Sequence, residues 1–275
     1  MRVGTLLSEV SDAEWNALAA RRIFFGHQSV GRDIMLGMAR LLEANPRIPL
    51  AVVQSSEPGA VTGPAFIEAR IGKNWAPETK TAAFRSVLDG GFGSEPGAVA
   101  MYKFCYVDVN GGTDADQLFN DYERALEGVR SSYPDLTLVH VTMPLHAVPA
   151  GIRERIMARV RPGTQTRLNI IRHRFNEQLR RRFATVDPIF DLALLESTGP
   201  DGLPAFTRYR GEEVPVLARE WTYDGGHLTD EAQDRFAEHL LVFLARSVAP
   251  AMPLTATTPA ASADRHYVTE GDRNG

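Results

Sequence analysis

Short apolar runs alternate with segments of helical periodicity along most of this chain, and no other feature restricts the fold as much. Strand-like runs lie at about 22–25, 49–53, 98–109, 136–142 and 189–194. Helix-like segments lie at about 30–44, 78–88, 115–131, 153–182 and 229–245, the fourth broken by Pro162-Gly163. Strands separated by helices pair in parallel, because a right-handed crossover returns the chain to the same end of the sheet. The expected architecture is a mostly parallel sheet of about five strands with helices on both faces. Residues 1–21 read as an N-terminal helical extension, with Ser11-Asp12-Ala13-Glu14 as a helix start. Residues 22–249 form the main domain, and the Pro/Thr/Ala-rich residues 250–275 are expected to be a disordered tail.

Two long stretches break the alternation. Residues 54–77, rich in Gly, Pro and Ser, read as an irregular loop, and loops of that length are usually functional or disordered. Residues 198–217 also read as loop.

Composition narrows the function by exclusion. A net charge of −4 over 275 residues gives no reason to expect nucleic acid or an anionic membrane as partner. The single cysteine, Cys105, excludes an intrachain disulfide, and no continuous apolar stretch at the N-terminus reads as a signal peptide. A cytoplasmic location is the expectation. His140 and His146 have no third ligand at metal-site spacing, so no metal is expected. Gly90-Gly91-Phe92-Gly93 precedes a strand and lacks the Gly-Lys-Ser/Thr of a phosphate-binding loop. Cys105 itself reads as a small buried hydrophobe in mid-strand. The arginines of 153–182 read as a solvated face.

Three strand-to-helix loops carry polar groups suited to acyl transfer. In Gly26-His27-Gln28-Ser29-Val30-Gly31, Ser29 falls between an apolar strand and an amphipathic helix. Backbone N–H groups are unpaired there and the helix dipole favours negative charge. Asn110 follows the third strand and carries an amide donor. Asp224-Gly225-Gly226-His227 places a carboxylate three residues before an imidazole in a glycine-containing turn. The carboxylate can accept from one ring nitrogen and leave the other to take a proton from a hydroxyl.

These residues resemble the SGNH/GDSL hydrolase family, over about Arg22 to Ala245. Asp224 to Leu228 matches the family's D-x-x-H block, Asn110 is similar to its third-block asparagine, and Ser29 matches its nucleophile block in position. His27-Gln28 stand where that family usually has Gly-Asp, and Asp108 where it usually has glycine. Of Gly63 and Gly72, Gly72 is the preferred second-block glycine. The resemblance implies a flavodoxin-like three-layer α/β/α sandwich. It also implies a cofactor-free serine hydrolase acting on a small-molecule acyl ester. Ser29 would be the nucleophile, His227 the base, and Asp224 its orienting carboxylate. The Ser29 and Gly72 N–H groups and the Asn110 amide would form the oxyanion hole. His27, Gln28, Lys73, Asn74 and Asp108 are the expected substrate contacts. An acyltransferase with the same chemistry and a non-catalytic binding protein are the alternatives.

Overall fold

The computed structural model describes residues 4–149, 152–161 and 164–247. The N-terminal helix α1 (Asp12–Ala19) starts in a capping box: the Ser11 hydroxyl accepts from the Glu14 amide and the Glu14 carboxylate accepts from the Ser11 amide. The chain then runs through β1 (Arg22–His27), α2 (Val30–Ala44), β2 (Val52–Gln54), β3 (Ala65–Arg70), α3 (Pro77–Asp89), β4 (Val99–Tyr102) and α4 (Ala115–Ser132). It continues with β5 (Thr137–Val141), α5 (Ile152–Val160), α6 (Gln165–Phe183), β6 (Ile189–Phe190), α7 (Leu192–Glu196), β7 (Phe206–Tyr209), β8 (Glu212–Pro215) and α8 (Asp230–Ser247).

The main sheet has the order β2-β3-β1-β4-β5-β6, and every pairing in it is parallel. One apolar layer packs α1, α2 and α8 against Ile23, Phe25 and Phe66. The other packs α3, α4 and α6 against Phe24, Ile67 and Tyr102. Alternate side chains of each strand feed opposite layers, as a sheet covered on both faces requires. This is the three-layer α/β/α architecture. Strand order reverses between β1 and β4, so the helices that follow them, α2 and α4, pack on opposite faces, the position at which ligands bind in open α/β sheets.

The sheet has six strands rather than about five. The additional one, β3, lies inside the stretch read as loop, and it pairs with β1 over its whole length. The expected strand at 98–109 ends at Tyr102, because the Asp108 carboxylate accepts from the Cys105 amide at 2.7 Å and folds residues 106–108 into a tight turn. The expected strand at 189–194 stops at Phe190, where Asp191 caps α7 by accepting from the Leu194 amide. Within 198–217, β7 and β8 form an antiparallel hairpin around Arg210-Gly211, both at positive φ, the two-residue turn that matches strand twist. The expected tail at 250–275 and the Pro162-Gly163 break fall outside the described residues.

Helices α2 and α8 touch closely enough to matter for the site. A Cβ on Gly37 would lie 2.2 Å from the Gln233 carbonyl oxygen, so only glycine permits this crossing. Arg40 fastens it by donating from Nε to Asp234 at 2.7 Å and from Nη2 to the Gln233 side chain at 2.9 Å.

Candidate active site

Ser29 is the N-cap of α2, yet its side chain makes no capping bond. Its backbone has φ 51° and ψ −117°, a conformation that costs a non-glycine residue on the order of 1–3 kcal/mol. The strained turn aims the hydroxyl away from the helix, and Ser29 Oγ lies 2.9 Å from His227 Nε2. His227 Nδ1 lies 2.6 Å from Asp224 Oδ2.

Proton positions follow from the donors available. Burial works to raise the Asp224 carboxyl, but hydrogen bonds from the His227 amide, the His227 ring and the Gly226 amide outweigh it and hold it at about 2. An ionised carboxylate only accepts, so Nδ1–H donates to Asp224, and in the neutral ring Nε2 carries the lone pair facing Ser29. Thr222 braces the loop: its hydroxyl donates to the His227 carbonyl at 2.6 Å and accepts from the Gly225 amide at 2.9 Å. The Leu228 amide donates to Asp33 Oδ2 in the first turn of α2, tying the histidine loop to the serine helix.

Tyr106, which sequence reasoning passed over, completes the group. Its ring stands edge-on to the His227 imidazole, with centroids 6.1 Å apart. Burial and the nearby Asp224 charge push its ionisation up, so it stays a donor. The ring fits because residue 226 is glycine: a Cβ there would lie 2.6 Å from the Tyr106 hydroxyl. The buried Arg172 fixes the backbone by donating to the Tyr106 carbonyl from Nε at 3.0 Å and Nη2 at 2.7 Å.

Ser29, His227 and Asp224 are thus brought together, and Asn110 makes no hydrogen bond to any of the three. It is exposed, and its side-chain oxygen accepts from the Gly112 amide in the turn leading to α4. Gly72 lies just beyond β3, at φ +61° and against the Lys80 backbone, where a Cβ would come within 2.5 Å. The Gln28 amide donates to the Ile71 and Gly72 carbonyls and ties the two loops.

His27 is buried rather than at the mouth, with Nε2 2.7 Å from Glu68. Burial pushes its imidazole down, so the neutral ring donates to that carboxylate. Asp108 is also buried. It takes an ion pair from Lys80 at 2.5 Å and accepts from the Trp75 and Cys105 amides. Lys80 donates onward to the Lys73 carbonyl and Asn74 Oδ1, both at 3.2 Å. Asp108 and Asn74 therefore staple the loop after β3 to the loop after β4. Only the Lys73 side chain is exposed among these three. Cys105 is buried, its Sγ 3.6 Å from both Lys103 Nζ and the Gln28 carbonyl.

No group of His, Cys, Asp and Glu side chains arranged to hold a metal ion occurs among the described residues, and none of their helices is long and apolar enough to cross a membrane.

Neither a protein-family model nor a curated protein matches the chain. Solved structures are similar at low identity. One is a Streptococcus pneumonia protein described as a platelet activating factor, at 15% identity and TM-score 0.47, covering 87% of this chain and 94% of that one. Another is the periplasmic domain of a Salmonella ser. Paratyphi A lipopolysaccharide acetyltransferase, at 9% identity and TM-score 0.41, covering 86% of each. A third is phospholipase A1 from Streptomyces albidoflavus, at 11% identity and TM-score 0.39, covering 80% of this chain and 96% of that one.

Proposed function

We propose that this chain is a serine-dependent ester hydrolase that works through an acyl-enzyme on a small acyl ester. The observation that carries the reading is the unbroken line from Ser29 Oγ to His227 Nε2 at 2.9 Å and from His227 Nδ1 to Asp224 Oδ2 at 2.6 Å. Ser29 attacks the acyl carbon while its proton passes to Nε2, and Asp224 stabilises the imidazolium that forms. The proton then goes to the leaving alkoxide as the ester C–O bond breaks. Water, deprotonated by the same nitrogen, releases the acid and restores the serine.

The oxyanion donors in this reading are the Ser29 and Gly72 N–H groups, joined by the Asn110 amide or the Tyr106 hydroxyl. Neither backbone amide has a hydrogen-bond partner among the described residues. Water as acceptor, rather than a second alcohol, is supported by the openness of the group: His227 and Asp224 side chains are 33% and 43% exposed. A fluorophosphonate probe should label the wild type and leave Ser29→Ala unlabelled, with ester turnover in that variant reduced to background. Equal labelling of the two proteins would remove Ser29 from the mechanism.

A further inference from the structure

A second cleft, of about 610 Å³, opens beside the serine loop on the α2 face of the sheet. It exists because α2 covers β1 but no helix covers the β2 edge, leaving Leu36 and Val52 exposed at 43% and 38%. One wall is the α2 stripe that begins at Arg32, and the other is formed by Gln54, Glu68 and Arg70 at the ends of β2 and β3.

Both arginines stand next to the proposed nucleophile. Arg32 is in the first turn of α2, its amide donating to the Ser29 carbonyl at 2.7 Å. Arg70 pairs in register with His27, and the next residue, Ile71, donates its amide to the His27 carbonyl. Neither guanidinium has an ion-pair or hydrogen-bond partner among the described residues, and both are exposed. Glu68, on the same face of β3 as Arg70, is the one acid in the cleft. It is turned inward to His27 at 2.7 Å and its side chain is 11% exposed. Two outward guanidinium groups against one inward carboxylate leave the mouth of the cleft cationic. Guanidinium pairs recognise carboxylate and phosphate oxygens in this way, through planar, charge-assisted hydrogen bonds.

We propose that this cleft is an anion subsite, and that the substrate is an ester bearing a carboxylate or phosphate remote from the scissile bond. The inference rests on the serine-hydrolase reading above and adds the substrate class to it. The bond broken remains the ester C–O bond.

The test uses matched ester pairs that differ only in charge. On the acyl side, p-nitrophenyl hemiglutarate is compared with p-nitrophenyl valerate. On the alcohol side, 4-acetoxybenzoate is compared with its methyl ester. Phosphorylated analogues, read the same way, distinguish carboxylate from phosphate. The wild type should prefer the anionic member of at least one pair by about tenfold or more in kcat/KM. That ratio should collapse in Arg32→Gln and Arg70→Gln, fall with added salt, and stay unchanged in Arg208→Gln on the β7–β8 hairpin. Ser29-dependent turnover with no charge preference in any pair, or a preference that survives both cleft variants, overturns the anion subsite and leaves the hydrolase reading intact. Absence of Ser29-dependent turnover and labelling overturns both.

Discussion

The distance between Ser29 and His227 is set by helix packing some way from either residue, and Gly37→Ala tests that dependence. An alanine Cβ at position 37 would sit 2.2 Å from the Gln233 carbonyl oxygen and 2.4 Å from its carbon. Non-bonded heavy atoms settle at about 3.5 Å, so α2 and α8 must separate by about 1 Å at the crossing. Both obstacles are backbone atoms, so no rotamer change relieves them. Gln233 is one turn beyond the histidine loop, its amide bonded to the Thr229 carbonyl, so the displacement reaches His227 almost undiminished. Added to the 2.9 Å now between Oγ and Nε2, it breaks the hydrogen bond. Overpacking of this size costs about 1–3 kcal/mol of stability, and a misplacement of about 1 Å between reacting groups costs about 10²-fold in turnover. The assay is kcat for a neutral p-nitrophenyl ester together with fluorophosphonate labelling rate. Both are measured well below the melting temperature, with circular dichroism verifying that the variant is folded. A folded Gly37→Ala protein with wild-type turnover and labelling would refute the claim that this crossing fixes the catalytic geometry.

Three further outcomes follow from contacts around the site. Tyr106→Phe removes one proposed oxyanion donor and should lower kcat by about 10²–10³ with little change in KM; a loss under about threefold would return Tyr106 to a packing role. Asp108→Asn leaves the buried Lys80 ammonium without its counter-charge and should cost about 3–5 kcal/mol, a fall of about 10 °C in Tm, whereas Lys80→Met with Asp108→Leu should cost less than Asp108→Asn alone. Glu196 is buried, and burial pushes its carboxyl up to about 8 against the Leu145 amide and the Lys103 and Arg172 charges. The native state therefore holds a proton that the unfolded chain releases near its ordinary value of 4.5. That contribution is complete below about 4.5 and disappears as pH rises through about 8, a loss on the order of a few kcal/mol. Denaturant titrations should show stability falling over this window, and Glu196→Gln should flatten the slope.

The parts of the fold legible in the sequence are those whose order is local. Helix α2 follows its apolar period to the residue, and α1 follows its capping box, because neither depends on a distant partner. Strand β3 was hidden because Glu68 interrupts its apolar run. That carboxylate is tolerable in a buried strand only through His27, which is far away in sequence. The β7–β8 hairpin was hidden because its strands are short and mostly exposed, so no strong alternation marks them. Reading β4 on to Val109 puts Asn110 directly after a strand, whereas the strand ends at Tyr102 and Asn110 follows the tight turn at 106–108.

An imidazole paired with a carboxylate is not by itself the mark of this site, because three occur among the described residues. His27 pairs with Glu68 and His140 with Asp187, and burial pushes both rings down and keeps them neutral. In the second, Tyr122 and Asp187 occupy both ring nitrogens, so no lone pair is left for a substrate. In the first, Nδ1 has no partner but packs against Gly31, where a Cβ would come within 2.9 Å, so nothing can approach it. Only His227 keeps one nitrogen facing a hydroxyl that a strained turn holds out of its helix. The difference between the three lies in topology. β1 ends at the point where strand order reverses, so the loop after it meets α8 across an open crevice, while His27 and His140 remain inside strands.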